Sequence, residues 1–369
     1  MPLKIINIVG ARPNFMKIAP LIEAMNSSGQ IEQTLVHTGQ HYDENLSKIF
    51  FDDLGIPRAD INLGVSPGDR DSQIKDIKSK FVPVVEDIKP DLILVVGDVT
   101  STIACAEVAK EKGIKVAHVE AGLRSFDNTM PEEINRIETD KIADFLYVTE
   151  PSAIVNLKNE NVPGEVLFAG NVMIDTLLKN LKKAEQSNIL STLSITPQQY
   201  ILSTFHRPSN VDSEINLSGL VETLVSMTSR FPTVLPLHPR TRSSLEKFDM
   251  LEDISRLSNL RLTEPLGYLD FLWLVMNARV VVTDSGGIQE ETTALRIPCI
   301  TMRENTERPI TLVSGTNVLV GQDRDKLLFE LDKISDGSFP GGQVPELWDG
   351  KAAERIVKHL LEKLGGSRK

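Results

Sequence analysis

Two doubly wound α/β domains of similar size are the fold this sequence predicts, and three observations predict it. Short Val/Ile/Leu-rich runs, of the length of buried parallel strands, alternate with helical patterns along the whole chain. The strands deliver glycine and polar residues at their carboxyl ends, where open α/β sheets bind ligands. At 369 residues the chain suffices for two cores of about 100–200 residues each.

Composition narrows the class. Hydrophobic residues at 41% and charged residues at 25% describe an ordinary soluble globular protein. No apolar stretch approaches the roughly 18–20 residues of a membrane span. The start, Met1-Pro2-Leu3-Lys4-Ile5, runs straight into a strand without the basic, apolar and cleavage regions of a signal peptide, so a cytoplasmic protein is expected. A net charge of −11 argues against nucleic acid as a partner, since phosphate-backbone binding rests on a basic surface. Cys105 and Cys299 stand in apolar surroundings and read as buried, reduced thiols. The six histidines form no zinc pattern, and no metal is required.

In the first half, Ile5 to Val9 reads as a strand. It leads through Gly10-Ala11-Arg12-Pro13-Asn14-Phe15-Met16-Lys17 into a helix, a turn suited to an anion because helix amides and two cations converge there. No GxGxxG occurs, so a nicotinamide cofactor has no support. Thr34 to Thr38 is the second strand, ending in Gly39-Gln40-His41-Tyr42, and Ser72 to Ile88 is a helix. Leu92 to Val96 is a central strand ending in Gly97-Asp98, before the helix Ile103 to Lys110. Asp98 therefore stands at a strand-to-helix junction, either capping that helix or doing chemistry.

The stretch from His118 to Arg136 organises the rest. Ile114 to Val119 is a strand, Glu120 follows its end, and Pro131 suits the first position of a helix. On a helical wheel Ile134, Ile137, Ile142 and Phe145 form a stripe for the core, leaving Glu132 and Arg136 together on the opposite side, free to face a cleft. The plainer alternative is an exposed Glu/Arg pair that stabilises the helix by about 0.2–0.5 kcal/mol. Pro151, Pro163-Gly164 and Gly170-Asn171 punctuate a domain border after residue 168.

The second half repeats the alternation. Tyr200 to Thr204 leads to Phe205-His206-Arg207-Pro208-Ser209-Asn210, and Thr233 to Leu237 to His238-Pro239-Arg240-Thr241-Arg242. Arg279 to Thr283 leads to Asp284-Ser285-Gly286-Gly287, and Pro298 to Met302 to Arg303-Glu304-Asn305-Thr306-Glu307-Arg308-Pro309. Four consecutive strands ending in polar residues suggest one polar cleft. Ser285-Gly286-Gly287 at a helix start suits a phosphate, and Glu291 further along can accept hydrogen bonds from a ribose diol. Arg12, Lys17, Arg240, Arg242, Arg303 and Arg308, all at or just past strand ends, supply the local positive field a diphosphate needs in an acidic protein. Loops of this kind on two domains facing one another imply a ligand held in a central cleft, an architecture of the GT-B type found in UDP-glycosyltransferases and glycogen phosphorylase.

GARPNFMKIAP, TGQH, GDVTST, HVEAGLRS, MPEEINR, HRPSN, TDSGGIQEE and MRENTERP, in that order, resemble the non-hydrolysing UDP-N-acetylglucosamine 2-epimerase family along essentially the whole chain. The resemblance implies residues 1–168 plus 350–369 as an N-terminal domain to which a C-terminal helix, about Gly350 to Leu364, returns, and 169–349 as a UDP-binding domain. It implies a cofactor-free homodimer that interconverts UDP-GlcNAc and UDP-ManNAc for cell-surface polysaccharides. The reaction eliminates UDP across C1–C2 to a 2-acetamidoglucal and adds it back after protonation on the other face of C2, which needs more than one acid/base group. Asp98, Glu120 and Glu132 meet that need, and the resemblance adds His206 to the catalytic set. By the same match Arg12, Lys17 and His206 hold the diphosphate end and Arg136 orients the acids. The resemblance implies that Ser285 and Gly286 contact the diphosphate, Glu291 the ribose and Phe271 the uracil ring, with His238, Gly287 and Arg308 also among the substrate-binding residues.

HRPSN and TERPI depart from the HRREN and TERPE of many members, and a relative acting on UDP-2,3-diacetamido-2,3-dideoxyglucuronic acid is an alternative on the same scaffold. A hydrolysing 2-epimerase and a catalytically silent nucleotide-sugar sensor are the others. Gly39-Gln40-His41-Tyr42-Asp43 lacks the arginine of the GQHRE loop found in members activated by a second UDP-GlcNAc.

Overall fold

The computed structural model describes residues 2–39, 58–66 and 68–365, and of Arg12 the backbone alone. The expected loop at Gln40-His41-Tyr42-Asp43 and the Arg12 side chain lie outside the described portion. The chain forms two compact units, Met1–Lys179 with Glu346–Lys369, and Asn180–Pro345.

In the first unit the described strands are β1 (Leu3–Val9), β2 (Ile31–His37), β3 (Ile61–Asn62), β4 (Leu92–Val96), β5 (Lys115–Val119), β6 (Phe145–Val148) and β7 (Glu165–Phe168). They form one sheet in the order β3-β2-β1-β4-β5-β6-β7, parallel throughout. Every residue of β4 is buried, as a continuous Leu-Ile-Leu-Val-Val run requires when helices cover both faces of a sheet. Ile77, Phe81 and Val85 from the helix Arg70–Ile88, and Ala104, Cys105 and Val108 from the helix Thr100–Glu111, share a core with Ile93 and Val95. Strand order reverses between β1 and β4, which places the ligand-binding crevice of this unit beyond their carboxyl ends.

The second unit repeats the plan with β8 (Ile201–Thr204), β9 (Thr233–Pro236), β10 (Leu260–Thr263), β11 (Val280–Thr283), β12 (Cys299–Thr301) and β13 (Asn317–Leu319). Their order is β10-β9-β8-β11-β12-β13, again parallel, so its switch point lies between β8 and β11. Cys105 and Cys299 are buried free thiols.

Two expectations need correction. The border expected at residues 168 and 349 falls instead at Lys179 and Pro345, because the helix Val172–Ala184 begins on the first unit. There Thr176 Oγ1 donates to Met16 O at 2.6 Å, and Asp175 accepts from the amides of Ala352 and Ala353 at 3.1 and 2.7 Å. That carboxylate caps the returning C-terminal helix, Ala352–Leu364, and Trp348 Nε1 donates to Thr149 O just before it.

The helix Pro131–Ile142 also turns the other way from its apolar periodicity. Glu133, Asn135, Arg136, Thr139 and Asp140 are its buried residues, while Ile134, Ile137 and Ile142 are half-buried. A polar face goes inward because the charged and amide groups on it meet partners there: Glu133 accepts from the amides of Ser125 and Phe126, Asn135 donates to Asp98 O, and Arg136 and Asp140 join ion pairs.

Candidate active site

The first unit gathers its polar groups at the β1/β4 switch point. Asn14, in the first turn of the helix Arg12–Ser28 that follows β1, accepts from the amides of Gly10 and Ala11 at 3.1 and 2.9 Å and donates to Val96 O at 3.0 Å, fastening the helix start to the end of β4. One turn on, Lys17 Nζ lies 2.7 Å from Glu120 Oε2. Gly97 has φ 70°, and a Cβ on it would lie 3.0 Å from Lys17 Nζ, so this contact depends on glycine.

Glu120 is fully buried, and Arg136 approaches it from the other side, Nη2 to Oε1 at 3.5 Å. The same Nη2 donates to Asp98 Oδ2. Burying such charges is costly unless they are paired, and here two cations serve two carboxylates. Glu120 also has φ 70°, a conformation that costs a non-glycine residue about 1–3 kcal/mol and persists only where its surroundings impose it. Asp98 keeps 21% of its side chain exposed. Its carboxylate pairs with Arg136 and the helix Thr100–Glu111 has no side-chain cap, so the capping alternative is set aside. Glu132 is half-buried and has no hydrogen-bond or ion-pair partner among the described residues, which leaves its carboxylate available. Asp98, Glu120, Arg136 and Lys17 are thus one cluster, and Glu132 opens the helix that supplies Arg136.

The second unit anchors His206 on a residue that the sequence reading passed over. Asp284, buried at the end of β11, accepts from the amides of His206 and Arg207 and from Asn210 Nδ2. Its other oxygen lies 3.1 Å from His206 Nδ1. Burial pushes the Asp284 carboxyl up, but the His206 contact and the amide donors outweigh it and hold the group below its ordinary range. The rings of His206 and His238 lie 5.1 Å apart, and His238 is exposed with Nδ1 accepting from the Arg240 amide.

Ser285 stands at the N-cap of the helix Gly286–Leu295, with Gly286 and Gly287 in its first turn, an end whose free amides favour an anion. A Cβ at Gly286 would lie 2.8 Å from Glu307 Oε1 and 3.1 Å from Arg308 Nη1. Arg308 is buried between Glu290 at 2.8 Å and Glu307 at 2.5 Å, and Glu307 also pairs with Arg303 at 3.1 Å. Glu291 is buried and accepts from Tyr268 OH at 3.2 Å. Burial, opposed by the Tyr268 bond and reinforced by the charge of Glu290, pushes its carboxyl up to about 7. Phe271 packs half-buried against a cluster that includes Tyr200, Leu274 and Ile288.

Of the six cations expected to supply a local positive field, the Arg12 side chain lies outside the described portion and the other five are paired with carboxylates. Lys17 pairs with Glu120, Arg240 with Asp212, Arg242 with Glu264, Arg303 with Glu307, and Arg308 with Glu290 and Glu307. Each of these five cations is thus held in place by a carboxylate. Asn14, Asp284, Tyr268, Glu290 and Glu307 were missed as site residues. Asn14, Asp284, Glu290 and Glu307 stand in stretches that the sequence marks at strand ends and helix starts, whereas Tyr268 has no such local signal.

By fold the chain is thus of the class with two doubly wound α/β domains, each with its polar groups at the switch point of its own sheet. The family model described as UDP-N-acetylglucosamine 2-epimerase matches residues 23–361. A UDP-N-acetylglucosamine 2-epimerase homolog of Methanococcus maripaludis is 43% identical over 97% of this chain and 99% of its own. The UDP-2,3-diacetamido-2,3-dideoxy-D-glucuronate 2-epimerase of Pseudomonas aeruginosa is 38% identical over 98% of this chain and 100% of its own. The crystal structure of Methanocaldococcus jannaschii UDP-GlcNAc 2-epimerase in complex with UDP-GlcNAc and UDP superposes with a TM-score of 0.89 at 38% identity, covering 98% of this chain and 100% of that one. The chain belongs to the UDP-N-acetylglucosamine 2-epimerase family.

Proposed function

We propose that this protein interconverts UDP-GlcNAc and UDP-ManNAc without net hydrolysis, through elimination and re-addition of UDP. The observation that carries the reading is the cluster of Asp98, Glu120, Lys17 and Arg136 at the first switch point, in a chain of this family and with Glu132 beside it.

In the forward direction a carboxylate takes the C2 proton, the C2 electron pair forms the C1–C2 double bond, and the C1–O bond breaks to release UDP. A carboxylic acid then protonates C2 on the opposite face while UDP returns to C1. Two proton carriers on different faces are needed, and Asp98 and Glu132 are the acids with access to a ligand. Glu120, fully buried, organises Lys17 and Arg136. The leaving diphosphate gathers negative charge, which the amides of Gly286 and Gly287, the Arg308 guanidinium and the His206 ring are suited to stabilise. Glu291 takes the ribose and Phe271 the uracil.

The test is proton NMR of the purified protein with UDP-GlcNAc in D2O. UDP-ManNAc carrying deuterium at C2 is the expected product; free ManNAc with UDP would replace this reading with the hydrolysing one. A second substrate, UDP-2,3-diacetamido-2,3-dideoxyglucuronic acid, is motivated by the 38% identical Pseudomonas aeruginosa relative and is run in the same assay. UDP binding with no reaction on either would point to a sensor.

A further inference from the structure

We propose that Asp140 is a positioning residue: a buried clamp that sets Glu120 and, through His118, the loop that carries Asp98. The inference rests on the functional reading above. Asp140 and His118 are both fully buried, and neither is among the groups assigned to substrate. His118 Nδ1 lies 2.7 Å from Asp140 Oδ1, and His118 Nε2 lies 2.8 Å from Gly97 O, the residue before Asp98. The other oxygen, Oδ2, accepts from the Gly122 amide at 3.0 Å and from Arg124 Nη2 at 2.7 Å, and Arg124 is itself held by Glu160.

His118 and Gly122 flank Glu120 symmetrically, two residues to either side. One carboxylate therefore grips both arms of the turn in which Glu120 is left-handed. A carbonyl oxygen only accepts, so His118 Nε2 carries a proton. Burial pushes the Asp140 carboxyl up, but His118 and Arg124 outweigh it and hold the group below its ordinary range. Asp140 also lies one helical turn beyond Arg136 and two beyond Glu132 on the same helix. The end of β4, the turn after β5 and the helix are thus referenced to a single buried group. Placement errors of about 1 Å at such a constellation cost about 100-fold in rate.

Asp140→Asn tests the clamp, because an amide offers one acceptor oxygen and cannot serve the His118, Gly122 and Arg124 donors together. The expected result is a kcat lower by about 100-fold with KM and UDP affinity within about threefold of wild type. His118→Gln, whose one amide nitrogen cannot serve both Asp140 Oδ1 and Gly97 O as the two ring nitrogens do, is the second variant, with an expected loss of at least about tenfold in kcat. A folded variant of either kind with kcat within about threefold of wild type overturns the proposal, as does a fall in kcat matched by an equal fall in UDP affinity. If Asp140→Asn does not fold, His118→Gln decides. Amide hydrogen exchange separates this inference from the enzymatic one. Should wild type epimerise neither sugar nucleotide, the functional reading falls. The clamp then still predicts exchange at Gly122 at least about tenfold faster in Asp140→Asn, and unchanged exchange there refutes it.

Discussion

The two units solve the same problem, presenting polar groups at the switch point of a parallel sheet, with opposite materials. The first unit uses side chains: carboxylates and cations buried against one another, with a left-handed glutamate held in place by its surroundings. The second uses backbone: the amides at the start of the helix Gly286–Leu295 and those of His206 and Arg207 on Asp284, with a histidine pair at the edge. Side-chain charge can take and return a proton. Backbone amides cannot, but they hold an anion with little reorganisation. The division suits chemistry in the first unit and nucleotide binding in the second, and the predictions below test that division.

The largest effect is expected at Asp98→Asn. General acid–base groups contribute about 10²–10⁴-fold, so kcat should fall by about 10³-fold while UDP affinity by calorimetry stays within about twofold. A parallel loss of affinity would mean that the first unit also binds nucleotide.

Gly286→Ala makes the converse test. Its Cβ would press to 2.8 Å from Glu307 Oε1 and 3.1 Å from Arg308 Nη1, displacing the pair beside the helix amides. UDP affinity is expected to weaken about tenfold, which is about 1.4 kcal/mol, with kcat at saturating substrate changed far less. If kcat falls and affinity holds, the roles of the units are exchanged.

The smallest effect is a pH dependence at Glu291. Burial pushes its carboxyl up to about 7 in the folded chain from an ordinary 4.5. Between those values the folded chain keeps a proton that the unfolded chain has released. The contribution to stability is therefore complete below 4.5 and declines as pH rises toward about 7. The ionised form is the better acceptor for a ribose diol, so UDP should bind a few-fold tighter at about pH 8 than at about pH 6, and Glu291→Gln should flatten both the binding and the urea-midpoint profiles. A profile identical in the variant would remove Glu291 from the ribose site.

The comparison also separates what was legible in the sequence from what was not. Leu92–Val96 reads as a buried central strand because every residue is apolar, and the glycines at Gly97 and Gly286 mark turns whose chemistry is local. The helix Pro131–Ile142 misleads because apolar periodicity registers hydrophobicity alone. It cannot register that Arg136 meets Asp98 and Glu120, or that Asp140 meets His118 and Arg124, and those pairings turn the polar face inward. The pairings of Arg240, Arg242 and Arg308 with Asp212, Glu264 and Glu290 escape the sequence for the same reason, since those carboxylates lie elsewhere in the chain.

By itself the sequence determined the fold class, the order of elements and the loops that carry the acids, histidines and glycines, because strand runs, helix starts and turn residues are short-range properties. The tertiary structure alone decided which charges are buried together, that Glu120 sits between Lys17 and Arg136 while Asp98 stays partly open, and that Asp140 grips the turn between them. Burial and pairing are set by groups distant in the chain, and the energy of a charge depends on both.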